Sequence, residues 1–83
     1  PVTFLTRRVR IESLEIVGRR EAAHVRLLIA ADRHKWPAVY WNAAERAGKD
    51  FAVSDVVDIV YRLGRNYFLN TETLQLTVID LKR

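Results

Sequence analysis

The 83-residue sequence contains no cysteine and no methionine, and it has only three glycines and two prolines. Without cysteine, the chain forms neither disulfide bridges nor thiolate metal sites. Its two histidines are too few to bind a metal ion by themselves. Long hydrophobic runs are also lacking, and no segment approaches the length needed to span a membrane. The fold must therefore be stabilised by packing of apolar side chains, which make up 49% of the residues.

The chain begins at Pro1 and has no methionine, so we expect it to be a fragment of a larger protein. A chain of this length is just large enough to form one hydrophobic core, so residues 1–83 are predicted to be a single domain. No secretory leader or lipidation motif is recognisable, which predicts a cytoplasmic location without membrane contact. The isolated domain is expected to be monomeric.

Basic residues outnumber acidic residues by 14 to 10, which gives a net charge of +4. Such an excess favours a polyanionic partner, although many ordinary protein surfaces have a similar balance. Eight of the 14 basic residues precede residue 36, namely Arg7, Arg8, Arg10, Arg19, Arg20, Arg26, Arg33 and Lys35. On charge alone, a nucleic-acid-binding surface and an ordinary solvated face remain equally open.

Period-two alternation of apolar and polar residues dominates the sequence and predicts a mostly β fold. The first strand is predicted from about Arg7 to Val17. Its apolar positions change phase near Glu12 and Ser13, as happens when a β-bulge inserts one extra residue. A long, bulged strand is typical of a barrel in which one strand belongs to two sheets.

Four further strands and one short helix are predicted after the first turn. The strands are expected at residues 24–31, 36–41, 56–63 and 74–79, with a hairpin loop at 64–73. Between the third and fourth strands, Asn42 and Glu45 form a capping-box pattern for a helix that ends at Gly48. Five strands with a helix in this position match a Greek-key OB-fold barrel, a fold that binds oligonucleotides or oligosaccharides. An SH3-like barrel is the competing fold.

The alternation also assigns the two faces of each strand. The predicted core residues are Val25, Leu27, Val39, Trp41, Val57, Ile59, Leu74 and Leu76. This phase places His24, Arg26, Leu28, Trp36 and Tyr40 on the outer side of the second and third strands. Basic and aromatic side chains together favour single-stranded nucleic acid, because cations neutralise phosphates and bases stack on rings. Packing of Trp36 and Tyr40 under the helix or against another domain is the alternative, and Leu28 favours that alternative.

Loop residues supply further candidates for nucleic-acid contact. Arg19 and Arg20 of the first turn are predicted to face Arg65 across the mouth of the barrel, an arrangement suited to phosphates. A solvated loop is the alternative for these arginines. Tyr67 or its neighbour Phe68 is predicted to stack on a base, because loop tips rarely bury aromatic side chains.

No group of residues in the sequence suggests catalysis. The carboxylates are scattered singly, and no D-x-D, H-x-x-E or D-H-H motif occurs. We therefore predict that this chain has no catalytic residue, no metal site and no cofactor. His24 is expected to be a polar surface contact rather than a catalytic base.

Two stretches of the sequence resemble the OB domain of the single-stranded-DNA-specific exonuclease RecJ. They are Asp55–Leu63 with Asn66, and Leu74–Lys82. Other marks that agree are Pro1-Val2 with Phe4, the position of His24 and the run Ala38–Asn42, so that the resemblance spans nearly the whole chain. The sequence departs from the family pattern at the last hairpin, where Asn70-Thr71-Glu72 stands in place of a glycine-containing turn.

The resemblance implies a bacterial parent enzyme of the DHH phosphoesterase family. Such a hydrolase degrades single-stranded DNA from the 5′ end, with manganese or magnesium bound in separate catalytic domains. The implied role of this domain is to grip the single strand and present it to those catalytic domains during DNA recombination and repair. Two alternatives stay open, a domain-docking or protein-interaction OB module and an RNA-binding OB domain.

Overall fold

The computed structural model describes residues 2–18, 23–68 and 71–83, and the side chains of all these residues except 66–68 and 71–73. The strands are β1 (Phe4–Val17), β2 (His24–Ala31), β3 (His34–Trp41), β4 (Val56–Phe68) and β5 (Thr71–Lys82). They pair in the order β1-β2-β3-β5-β4 and close into a barrel. Only β3 and β5 run parallel among these pairs. This topology confirms the predicted five-stranded OB-fold.

Strand β1 belongs to both halves of the barrel, because its first half pairs with β4 and its second half pairs with β2. The register against β2 shifts between Ile11 and Ser13, which confirms the bulge predicted from the change of phase. Ile11 pairs with Ile29 and Leu14 pairs with Leu27. The bulge therefore directs Ile11 and Leu14 to the same inner face, although they lie three residues apart.

A second irregularity in β1, between Thr6 and Val9 against β4, was not evident from the sequence pattern. Arg8 has a left-handed backbone there, with φ of 57°. Its N–H donates to a carboxylate oxygen of Asp58 over 3.0 Å. The Asp58 side chain thus replaces a strand-to-strand hydrogen bond at the point where the ladder is interrupted.

The barrel interior is filled by apolar side chains, and no polar or charged residue of the described part is buried. The largest fully buried side chains are Phe51, Ile11, Ile29, Ile59, Val9, Val25 and Val57. They come from β1, β2, β4 and the β3–β4 connection, so the core depends on contacts between distant parts of the chain. A small domain without disulfides is stabilised mainly by this burial.

The predicted phase of β3 is wrong. Tyr40 pairs with the core residue Val25 and is only 7% exposed, whereas Trp41 pairs with His24 on the outer face and is 55% exposed. Trp36 pairs with Ile29 and faces inward at one end of the barrel, where it is 36% exposed. Alternation did not reveal the phase because three consecutive residues, Ala38 to Tyr40, are all buried.

Two other details of the predicted strands change. Leu74, assigned to the core, is exposed although Leu76 is buried as predicted. The last hairpin is longer than expected, because β4 continues to Phe68 and β5 begins at Thr71. Pairing of Arg65 with Leu74 and of Tyr67 with Glu72 takes up most of the predicted loop.

Residues 42–55 connect β3 to β4 by successive turns, and the predicted helix is absent from this described segment. Asn42 and Gly48 have φ of 58° and 82°, so left-handed residues bracket a stretch too short for a stable helix. Phe51 inserts into the barrel end and stacks on Tyr40, with ring centroids 5.9 Å apart. The connection thus closes this end of the barrel without a helix.

Arg46 fastens this connection to the barrel. Its guanidinium donates to the hydroxyl of Tyr40, to Asp50 over 2.8 Å and to the carbonyl of Leu81 over 3.4 Å. Arg83 adds a bond from the end of the chain, donating to the Asp50 carbonyl over 2.6 Å. The turns therefore have fixed side-chain anchors on both β3 and β5.

Candidate nucleic-acid interface

The outer surface of the β2–β3 pair is defined by cross-strand partners that point away from the core. His24 faces Trp41, Arg26 faces Val39 and Leu28 faces Pro37. We call these six residues the outer face, on which Val39 is only 4% exposed. Side chains on one face of a strand repeat every second residue, so successive pairs lie about 6.5 Å apart along the strands.

An aromatic platform occupies one end of the outer face. The imidazole of His24 and the indole of Trp41 have centroids 4.4 Å apart at an interplanar angle of 37°. Nδ1 of His24 is buried and has no hydrogen-bond partner in the described part of the chain. The platform therefore offers an exposed indole in contact with an imidazole ring.

Arg26 supplies the cation at the centre of the outer face. It is exposed and forms no ion pair within the described ranges, although Glu15 lies directly opposite on β1. Two other arginines are engaged: Arg10 bonds Glu12 over 2.6 Å and Arg46 bonds Asp50 over 2.8 Å. The bond from Arg10 holds the pKa of the Glu12 carboxyl below its usual value. Arg26 is thus available to an anionic ligand.

A groove of about 220 Å³ lies next to Arg26. Its apolar lining consists of the cross-strand partners Leu28 and Pro37 together with Leu27 and Ala38. Its polar rim consists of Ser13, Glu15, Arg26 and Gln75. The groove therefore combines an apolar base with hydrogen-bonding groups of both kinds.

The structure brings together only part of the predicted site. His24 and Arg26 lie on the outer face as predicted, whereas Tyr40 is a core residue whose hydroxyl accepts a hydrogen bond from Arg46. Arg19 and Arg20 lie outside the described residues, as does the side chain of Tyr67. Their predicted contacts with phosphates and bases stay predictions.

Trp36 and Arg65 lie away from the outer face. Trp36 lines an apolar cavity of about 280 Å³ at one end of the barrel, together with Tyr61, Leu63 and Leu74. We call this the end cavity. Arg65 is exposed on β4 and pairs with Leu74, which places it beside the end cavity. The predicted aromatic pair Trp36 and Tyr40 is therefore replaced on the outer face by Trp41.

Sequence reasoning missed three residues of the outer face, namely Pro37, Val39 and Trp41. The signal that identifies them is the tight turn at Asp32 and Arg33, which joins β2 to β3 with only two residues. Ala31 then pairs with His34, and each step away from the turn fixes the next pair. A two-residue hairpin counted from a securely assigned β2 would have placed Trp41 outside.

The residues that the structure describes contain neither a cluster suited to a metal ion nor a membrane-spanning helix. In residues 2–18, 23–68 and 71–83, no cluster of three histidine, cysteine or acidic side chains is arranged to hold a metal ion. Across the same part of the chain, no helix is long and apolar enough to cross a membrane.

Comparison with known proteins identifies both the fold and the family. The barrel is similar to the SSB domain of a protein from Synechococcus sp., at a TM-score of 0.77 and 14% sequence identity, over 98% of this chain and 93% of that chain. No curated protein matches the sequence. The model of the RecJ OB domain family matches residues 1–80. With this match and the barrel topology together, the chain belongs to the RecJ OB domain family.

Proposed function

We propose that this domain binds single-stranded DNA on its outer face and holds it for the separate catalytic domains of a RecJ-type 5′ to 3′ exonuclease. The observation that carries the proposal is the exposed indole of Trp41, in tilted contact with the His24 ring and close to the unpaired Arg26. Membership of the RecJ OB family supports the same partner. The proposed setting is DNA recombination and repair in the bacterial cytoplasm.

The two kinds of side chain have different tasks in this proposal. Bases stack on Trp41, an interaction worth about 1–3 kcal/mol per base and tolerant of base identity. Arg26 lies two residues from His24 along β2 and neutralises a phosphate of the same DNA molecule. Hydrolysis belongs to the parent's catalytic domains with their manganese or magnesium, and this chain contributes no reacting group. We expect no nuclease activity from it with either metal.

Binding of a labelled single-stranded oligonucleotide to Trp41→Ala tests the proposal by fluorescence anisotropy at low salt. Loss of one stacked base predicts a dissociation constant raised about 5- to 150-fold. Leu5→Ala is the matched control, because Leu5 is an equally exposed apolar residue on the outer side of the β1–β4 pair. Unchanged affinity of a folded Trp41→Ala variant would refute the proposal.

The choice between DNA and RNA is tested with oligonucleotides of the same sequence. The proposal expects DNA to bind at least as tightly as RNA. A stronger complex with RNA, lost when a 2′-hydroxyl is replaced by hydrogen, would instead support the RNA-binding alternative, because the 2′-hydroxyl distinguishes the two polymers.

The end cavity favours a second, additional function, docking on the parent's catalytic domains. Trp36, Leu63 and Leu74 leave a large apolar surface exposed there, and such patches commonly mark protein contacts. Hydrogen exchange of β4 and β5 should then be slower in the full-length parent than in the isolated domain. Equal exchange in the two forms would argue against docking at this end.

A further inference from the structure

The groove beside Arg26 contains a carboxylate in a surface that is proposed to bind a polyanion. Glu15 lies opposite Arg26 in the β1–β2 register, yet no ion pair joins them. A free carboxylate repels phosphate, so a purely electrostatic DNA surface gains nothing from it. Its position is explained if its oxygens accept hydrogen bonds from a ligand that also has donor groups.

Building on the proposed function, we infer that this groove reads one base of the single strand and prefers guanine. Its volume of about 220 Å³ is below the range of roughly 300–1,000 Å³ typical of drug-sized ligand pockets, which suits a single base. The apolar lining of the groove, which includes Leu28 and Pro37, provides a surface for the base plane. Bases of a single strand are free to present their hydrogen-bonding edges to such a rim.

The rim groups match guanine better than the other bases. A carboxylate is an acceptor with two oxygens, and guanine presents N1–H and N2–H₂ side by side on its Watson–Crick edge. Guanine also carries the acceptors O6 and N7, to which arginine donates in the commonest specific base contact. Glu15 and Arg26 therefore satisfy donors and acceptors of the same base.

The remaining bases leave one of these groups unsatisfied. Cytosine and adenine offer the carboxylate one amino group, and the N3–H of thymine lies between two carbonyl oxygens that Glu15 would repel. Ser13 and Gln75 can each donate or accept, so they contribute hydrogen bonds without discriminating. The preference for guanine over the other bases is accordingly assigned to Glu15. Arg26 contributes to recognition of both the base and the phosphate.

The test compares short thymidine oligonucleotides that carry a single guanine, adenine, cytosine or inosine at the centre. We expect guanine to bind at least about 5-fold more tightly than thymine, and inosine, which lacks the N2 amino group, to lose most of this gain. Glu15→Gln should abolish the guanine preference while leaving or increasing affinity for plain thymidine strands. Glu45→Gln is the matched control, because it removes the same charge from an exposed residue outside the groove.

The outcomes separate this inference from the proposed function. Equal affinity for all central bases, or a guanine preference that survives Glu15→Gln, would overturn the inference while leaving single-strand binding intact. Absence of binding to any oligonucleotide at low salt would instead refute the proposed function, and the inference with it. A preference lost in Glu15→Gln and kept in Glu45→Gln supports both.

Discussion

Two neighbouring aromatic residues, Tyr40 and Trp41, have opposite tasks because successive side chains of a strand point to opposite faces. Tyr40 packs on Phe51 inside the barrel and accepts a hydrogen bond from Arg46. Trp41 contacts His24 on the outer face. A role in stability and the proposed role in ligand binding thus belong to adjacent residues and can be separated by mutation.

Tyr40→Ala is expected to lower the free energy of unfolding by about 3–5 kcal/mol, since it removes a buried aromatic ring and leaves a cavity. Trp41→Ala should cost about 1 kcal/mol or less, because its side chain is mostly solvated. Urea denaturation of the two variants measures the difference. A larger loss for Trp41→Ala would mean that the face assignment of β3 is inverted.

Burial raises the pKa of the Tyr40 hydroxyl, outweighing the opposing effect of Arg46. The folded state therefore holds this proton more tightly than the unfolded state, in which tyrosine titrates near about 10. The corresponding stability is complete below that pH and is lost as the pH rises through the raised pKa. We expect urea denaturation to show a smaller alkaline loss for Tyr40→Phe than for the natural chain. Identical alkaline profiles would contradict this.

At the scale of elements, the β3–β4 connection replaces the helix that the capping pattern predicted. Its anchor is Phe51, which is fully buried, while Val53, two residues later, is about half exposed. The local sequence favours helix at its start, but left-handed conformations at Asn42 and Gly48 divide it into turns. Tertiary burial of one aromatic side chain thus outweighs a local propensity worth fractions of a kcal/mol per residue.

Phe51→Ala is expected to lower the free energy of unfolding by about 3–5 kcal/mol, because it opens that end of the barrel to water. Val53→Ala is the matched control in the same connection and should change it by about 0.5 kcal/mol or less. Thermal denaturation followed by circular dichroism measures both. Equal melting temperatures would show that the connection does not contribute to the core.

For the whole molecule, a net charge of +4 matters less than which cations are unpaired. Arg10, Arg46 and Arg83 are held by carboxylates or carbonyls, whereas Arg26 has no such partner in the described part. Long-range charge steers a polyanion to the domain, and in the proposed function an unpaired cation beside the aromatic platform, such as Arg26, decides where it binds.

The binding constant for a single strand is expected to fall as the salt concentration rises. In a plot of the logarithm of the binding constant against the logarithm of the salt concentration, each neutralised phosphate adds about 0.7 to the magnitude of the slope. Arg26→Ala should reduce that slope by about this amount. Arg7→Ala should leave it unchanged, because Arg7 is also exposed but lies on the β1–β4 side of the barrel, away from the outer face. Titrations at several salt concentrations measure the slopes. An equal reduction in both variants would indicate diffuse attraction rather than a defined contact.

Much of the barrel was predictable because its strands obey local rules. The limits of β2 follow from strict alternation around Val25, Leu27 and Ile29, and the bulge of β1 follows from a change of phase near Glu12. His24 and Arg26 were placed correctly for the same reason. The candidate site was predicted only where it lies on this securely assigned strand.

The sequence by itself determined the five strands, the bulge, the position of Arg26 on the outer side of β2 and the family, because each follows from residues close together in the chain or from the order of such stretches. The tertiary structure alone decided the direction of Trp36, Tyr40 and Trp41 and the replacement of the helix by turns. These depend on how β3 meets β2 and β5 and on where Phe51 finds a buried site. Burial of Ala38, Val39 and Tyr40 in succession removes the alternation that local reasoning needs, so only pairing between strands fixes the face.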